Sequence, residues 1–477
     1  MAHIKIAARA PFEGAPRVTN PSCFGAAPKK PFLLRVNATG ARPMRFSASG
    51  LPAGLTLSGN IIAGRVEKSG KYKIVLAAEN ALGRSEKEVT LEIRNGAALL
   101  TPLMGFTTWN AFAFEGLTQA GTEESAAQML ALGLCEYGYT YVNIDSGWQG
   151  AYGGEFDAVM PNEKFPDMKG FCERMHEKGL KCGIYSTPML HAFGCSMKRD
   201  PLPPGCTQGA PDDRFADERG GIGLIRKEKN NALQWAAWGF DYLKYDWVST
   251  DMVNTARMRE ALDANGRDMV FSLVTGVALK DAQRASELAN LYRSNADTAP
   301  CWDSIHKNGF GNGDWNPYIG PGHWLDLDML TTTPRDGKQL SRNELLTHIS
   351  CWMMRPSPIL LDCDPRNLDD YLRDLLCNDE IISVNQDALG KPAATIFKDS
   401  IWEIQLKPLA DGNCAVAFFN LSDDRFAVAH DIPLAHWVGR GFKVRDLWAR
   451  QDLTDVGDDF IVGVAPHSAK LYKIFVR

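Results

Sequence analysis

No apolar run in this chain of 477 residues reaches the ~20 residues that a helical membrane crossing needs. A strong charge is also missing. The formal net charge is -5 with 23% charged residues, so no nucleic-acid partner is expected. Histidine is scarce, 9 in all, and the 11 cysteines are scattered without tight pairs. Zinc needs clustered His and Cys, and His191 near Cys195 or His323 near Asp326 are weak ligand sets, so no metal is expected. No Gly-x-Gly-x-x-Gly turn follows an early strand, which argues against a dinucleotide, and no other cofactor is implied. No Gly-x-Ser-x-Gly elbow is present, which argues against a Ser-His-Asp hydrolase. There is no internal repeat and no low-complexity tract. The opening Met1-Ala-His-Ile-Lys-Ile-Ala has no long apolar core of a secretory signal. As written the chain reads as cytoplasmic, and as secreted or periplasmic if a signal was removed.

What is present is an ordinary globular balance, 45% hydrophobic, at a length that suits two to four domains. Residues 1–97 carry short runs of β-formers such as Lys71-Tyr-Lys-Ile-Val-Leu-Ala-Ala, punctuated by turns such as Gly50-Leu-Pro-Ala-Gly. They predict a small all-β sandwich of immunoglobulin-like size. Residues 98–390 alternate strand-like and helix-like runs, with eight strand candidates. In order these begin at Leu103, Tyr139, Lys181, Tyr242, Asp268, Leu291, His323 and Pro358. That alternation predicts an eight-fold β/α barrel, although a doubly wound open sheet would also alternate. Ser341 and Asn367 read as caps of the last two helices. Residues 391–477 return to strands and predict a second β-sandwich. The expected fold class is therefore multidomain, a (β/α)8 TIM barrel flanked by two β-sandwiches. Cys195 and Cys206 flank a Pro-rich loop and could bridge.

The organising stretch is Asp241-Tyr-Leu-Lys-Tyr-Asp-Trp-Val248, a buried strand ending in charge. Buried charge is costly unless paired, so Lys244 and Asp246 suggest a polar pocket, with a structural ion pair at a sheet rim as the bland alternative. Other segments end the same way. In a barrel, strand ends share one face. That face would hold Trp109, Asp145, Trp148, Tyr185, Lys244, Asp246, Arg293, Asp297, Asp326, Asp328, Asp362 and Asp364. Carboxylates beside rings suit acetal cleavage, which needs a proton donor and a carboxylate facing an oxocarbenium-like carbon. Clustered Asp could hold Mg²⁺ or Ca²⁺, but Lys244 and Arg293 would repel a cation. Asp241 and Asp303 read as rim caps or pairs, Asp362 and Asp364 as caps, and His323 as a backbone partner.

Several of these segments match one family in order: Pro102-Leu-Met-Gly-Phe-Thr-Thr-Trp-Asn, Tyr141-Val-Asn-Ile-Asp-Ser-Gly-Trp, Trp238-Gly-Phe-Asp-Tyr-Leu-Lys-Tyr-Asp-Trp, Arg293-Ser-Asn-Ala-Asp and Gly320-Pro-Gly-His-Trp-Leu-Asp-Leu-Asp-Met-Leu. Over residues 99–477 the chain resembles glycoside hydrolase family 27, the α-galactosidase or melibiase family. Its first domain resembles the immunoglobulin-like module ahead of some bacterial members. The resemblance implies a (β/α)8 barrel, a C-terminal β-sandwich and a retaining double displacement. It implies Asp246 as nucleophile and Asp297 as acid/base. Trp109, Asp145, Ser146, Tyr185, Lys244, Arg293 and Asp328 fall at substrate-binding positions. The implied partner is a carbohydrate: an oligosaccharide, a polysaccharide side chain or a glycoconjugate.

Three departures bear on the sugar. Asp145-Ser146 replaces the family's Asp-Asp, and the missing carboxylate belongs to the contact with an axial galactose hydroxyl. The loop Ser272-Leu-Val-Thr-Gly-Val-Ala-Leu lacks the residues that read the 2-substituent, and Trp-Leu325-Asp-Leu327-Asp replaces Trp-Asn-Asp-Pro-Asp. The expected function is removal of terminal α-galactosyl-like residues. The alternatives are the same chemistry on a β-L-arabinopyranoside or α-N-acetylgalactosaminide, and a non-catalytic carbohydrate-binding protein.

Overall fold

A computed structural model describes residues 6–7, 10–193, 202–212, 214, 219–248, 250–429, 434–439, 441–453 and 461–476. Its centre is a ring of eight parallel strands: β1 (Met104–Thr107), β2 (Tyr141–Ile144), β3 (Lys181–Ser186), β4 (Tyr242–Asp246), β5 (Val270–Val274), β6 (Leu291–Arg293), β7 (Trp324–Asp326) and β8 (Ile359–Leu361). They pair consecutively, and β1 pairs with β8. Just past β7, the Leu330 N–H donates to the Leu360 carbonyl at 2.8 Å and closes the ring. Strands covered by helices on the outside and packed within read as continuous apolar runs. Every residue of β5, Val-Phe-Ser-Leu-Val, is accordingly buried.

Helices return the chain between strands, and their ends aim the next strand. Helix Glu228–Trp238 stops at Gly239, whose φ of +106° lies in the left-handed region that ends helices. Three residues later β4 begins. Helix Arg342–Met354 opens with a capping box in which Ser341 Oγ accepts from Glu344 N and Glu344 Oε2 accepts from Ser341 N. Such a cap contributes about 1 kcal/mol. The expected cap at Asn367 is not used. Asn367 lies in a 3-10 turn, Pro365–Asn367, and Asp369 caps helix Asp370–Leu376 by accepting from Leu372 N. Inside the ring, Gly183 leaves no room for a side chain, since a Cβ there would meet Asn143 Oδ1 at 2.1 Å.

Residues before the barrel form a four-stranded and a three-stranded sheet around a core that includes Phe32, Ile62, Leu76 and Leu91. They meet the barrel where its strands begin. Ala27 N donates to Asp268 Oδ2 at 2.6 Å, just ahead of β5, and Arg35 pairs with Glu136 at 2.8 Å, ahead of β2. This module therefore covers the floor of the barrel, opposite the strand ends where barrel chemistry sits. After the barrel, a six-stranded antiparallel sheet begins at Ala394–Lys398 and packs beside helix Arg342–Met354, where Trp448 Nε1 donates to Ser350 Oγ at 3.1 Å. Among the described residues, no helix is long and apolar enough to cross a membrane.

Candidate active site

The C-terminal ends of β2, β3, β4, β6 and β7 bring the ionisable set to one mouth. Lys244 points inward from β4 and does not pair with its neighbour Asp246. Its Nζ donates across the barrel to Asp145 Oδ2 at 2.7 Å, and Asp145 is 3% exposed. Burial works against the Lys244 ammonium, but the carboxylates of Asp145 and Asp246 outweigh it and hold its pKa above the ordinary value. Asp145 Oδ1 also accepts from the Ser146 N–H at 2.7 Å, which places Ser146, itself buried, against the same carboxylate.

Asp246 ends β4 between two donors. Tyr185 OH, from β3, donates to Oδ2 at 3.1 Å, and Thr275 Oγ1, just beyond β5, donates to Oδ1 at 2.8 Å. Burial, and then the Asp246 charge, push the Tyr185 phenol well above its usual range, so it stays a neutral donor. The Asp246 carbonyl accepts from Arg219 Nη1 at 3.1 Å.

Asp297 lies four residues past Arg293, with its side chain 71% exposed at the mouth. Arg293 Nη2 reaches Asp297 Oδ1 at 2.5 Å and Asp328 Oδ2 at 3.0 Å. Partial enclosure raises the Asp297 pKa. The cations Arg293, Lys244 and Arg335 more than reverse this and hold it below the usual carboxylate range. Asp246 at the end of β4 and Asp297 just past the end of β6 thus both lie on the C-terminal side of the barrel strands. Asp328 Oδ2 accepts from Thr298 N at 2.6 Å and from Thr298 Oγ1 at 3.0 Å, while its own N–H donates to Asp326 Oδ1 at 2.8 Å.

Two residues at this mouth are in left-handed backbone, Asp328 at φ +81° and Thr275 at φ +73°. For a β-branched residue that is a true outlier, costing about 1–3 kcal/mol, and such strain gathers at functional sites. Trp109 is the first residue of helix Trp109–Gly116, half-buried, and its ring lies 6.0 Å from that of Phe193. Beneath the mouth the barrel is packed. Asn143, Asp145, Lys244, Arg293 and Asp326 line one small void there.

Other candidates have structural surroundings. Trp148 is 1% exposed and donates to the Tyr185 carbonyl at 3.0 Å. Asp362 is buried and accepts from Thr332 N at 2.8 Å and Asn110 Nδ2 at 3.0 Å. Asp364 accepts from Arg366 N at 3.0 Å in its turn. Asp241 pairs with His176 and Arg267 at the barrel floor, and His323 Nδ1 meets the Tyr318 carbonyl at 2.7 Å. Cys206 is a free buried thiol 2.8 Å from Ser186 Oγ, and the Cys195 half of the suggested bridge lies outside the described residues.

Thr275, Arg219 and Arg335 were not anticipated. The last anchors its loop by donating to the Thr298 carbonyl at 3.0 Å. A charged residue in a loop carries no strand pattern to place it. The left-handed φ of Thr275 runs against its residue type.

Comparison with known proteins gives a consistent result. A family model described as α-galactosidase A matches residues 218–387, and one for the α-galactosidase C-terminal β-sandwich domain matches residues 399–474. The chain is 30% identical over 407 residues to an α-galactosidase of Oryza sativa, covering 83% of this chain and 89% of that one. It is 32% identical over 340 residues to α-galactosidase A of Cellvibrio japonicus, covering 68% and 77%. A crystal structure from Bacteroides fragilis, of a protein proposed to be an α-galactosidase, superposes with a TM-score of 0.86 at 30% identity, covering 98% of this chain and 99% of the other.

Proposed function

Because this chain belongs to the α-galactosidase (melibiase) family of glycoside hydrolases, family 27, we propose that it removes terminal α-galactosyl residues by a retaining double displacement at Asp246 and Asp297. The observation that carries the assignment is the Asp246 carboxylate, gripped at both oxygens at the end of β4, with Asp297 held by Arg293 just past the end of β6.

In the first step Asp246 attacks the anomeric carbon. The bond to the leaving oxygen breaks, and Asp297 gives that oxygen its proton, which leaves a glycosyl ester on Asp246. In the second step Asp297, now a carboxylate, takes a proton from water as the water attacks the same carbon and frees Asp246. Lys244 and Arg293 oppose the carboxylate charge and can donate to ring hydroxyls, while Asp145 and Asp328 can accept from them. Tyr185 sets the nucleophile, and Ser146 sits at the sugar's specificity position. The half-buried face of Trp109 suits the C–H face of a pyranose. No cofactor enters either step.

Asp246→Asn keeps size and one acceptor oxygen. It should fold normally and lose about 10⁴-fold or more in turnover, the scale of losing a covalent nucleophile. Substantial residual activity would overturn the assignment.

A second reading changes only the sugar, and Ser146 favours it. A serine beside Asp145 lacks the carboxylate that an axial hydroxyl and the hydroxymethyl arm of galactose would meet. A β-L-arabinopyranoside has the same ring configuration without that arm. An α-N-acetylgalactosaminide would instead test the altered loop after β5. A panel of nitrophenyl glycosides separates the three, and clear preference for the α-galactoside disposes of the second reading. We also propose the division 1–97, 98–390 and 391–477, with the first unit an immunoglobulin-like module.

A further inference from the structure

We infer that Thr275 is a positioning residue for Asp246, and that its strained backbone is held in place by Thr250. The inference rests on the reading of Asp246 as the nucleophile and adds a residue to it.

In the barrel, β3, β4 and β5 are neighbours, with Tyr185 opposite Lys244 and Asp246 opposite Val274. The carboxylate at the end of the middle strand therefore has one donor on each side. Tyr185 takes Oδ2 and Thr275 takes Oδ1. Two donors on opposite oxygens fix the plane of the carboxylate. An attack on carbon requires one lone pair on line, and small misplacements of a reacting group cost orders of magnitude in rate.

The Thr275 hydroxyl reaches Oδ1 because its backbone is left-handed, φ +73°, followed by Gly276 at φ +61°. A β-branched residue does not hold that conformation unaided. Thr250, on the loop after β4 and 8% exposed, supplies the restraint. Its Oγ1 donates to the Thr275 carbonyl at 3.0 Å and lies 3.3 Å from the Val274 carbonyl. The turn after β5 is thus tied back to the chain that carries the nucleophile. A glycine at 275 would relax the backbone, but it would remove the donor.

The test uses the full chain with Thr275→Val, Thr275→Ser and Thr275→Gly. Val keeps the shape and deletes the donor, Ser keeps the donor, and Gly deletes the donor while relieving strain, so it guards against misfolding of Val. The readouts are kcat and KM on the best nitrophenyl glycoside. A third is the rate of covalent labelling by galacto-configured cyclophellitol, an epoxide that esterifies a glycosidase nucleophile, with the labelled residue found by peptide mass. Val and Gly should each lose about 10–100-fold in kcat and in labelling rate, the range for a hydrogen bond to a charged group, with KM within about 2-fold. Ser should recover most of both. Unchanged rates in Val and Gly, or a Ser variant as slow as Val, would overturn the role of Thr275. A label on a residue other than Asp246 would instead overturn the nucleophile assignment, whatever the Thr275 variants do.

Discussion

Arg293 Nη2 lies 3.0 Å from Asp328 Oδ2, and the two side chains are 3% and 4% exposed. The same guanidinium reaches out to Asp297, so one cation ties a buried acid to an exposed one. Burying a pair gains little over an apolar pair, but breaking it leaves a charge with no partner. Arg293→Leu should therefore destabilise the protein by about 3–5 kcal/mol at neutral pH, read by urea or guanidinium unfolding. Asp328→Asn should cost less, because the amide oxygen can still accept from Thr298. A loss below about 1 kcal/mol in Arg293→Leu would show that the pair is not buried as described.

The exposed end of that link bears on catalysis. A general acid must carry a proton when the leaving oxygen departs, yet Arg293, Lys244 and Arg335 hold Asp297 ionised in the free site. A sugar hydroxyl that draws Arg293 away would let Asp297 take up its proton. Asp297→Ala should then lose about 10²–10⁴-fold on substrates with poor leaving groups. On activated nitrophenyl glycosides the first step should fall by less than about 10-fold, since little protonation is needed. Equal losses across a leaving-group series would remove Asp297 from the acid role.

The barrel was legible because its strands are buried on both faces and end in charge. All eight fall inside or beside the runs of β-formers that mark them, and the inward i, i+2 pair Lys244 and Asp246 follows from strand alternation. The partner of Lys244 was not legible. Asp145 is 99 residues away, and only closure of the ring brings it within 2.7 Å. Near Asn367 four Asx side chains, Asp364, Asn367, Asp369 and Asp370, compete for two starts, and Asp364 and Asp369 take them. Trp109 belongs in register to the end of β1 but already begins a helix, which turns its ring toward Phe193. Thr275 was hidden for a deeper reason. Its function depends on a backbone state that its own side chain disfavours, so only the tertiary restraint from Thr250 makes it readable.

The same crowding of charge has a signature in stability against pH. Asp326 is 6% exposed at the end of β7. Burial pushes its pKa up to about 6, the Arg293 cation opposes the rise, and Asp328 adds to it. An unfolded aspartate titrates near 3.8. Between those values the folded protein holds a proton that the unfolded chain has lost, so the contribution of Asp326 to stability is fully present at low pH and is lost as pH rises from about 4 to about 6. The gap is worth about 3 kcal/mol. Asp326→Asn keeps the oxygen that accepts from Asp328 N and never ionises. It should flatten the pH dependence across that window and be more stable than the parent at pH 7.5, with little difference at pH 4. Denaturant unfolding of both proteins at the two pH values checks this. A variant less stable at pH 7.5 by the same amount as at pH 4 would mean that Asp326 is ionised and paired in the folded state. The Arg293 guanidinium would then serve three carboxylates rather than two.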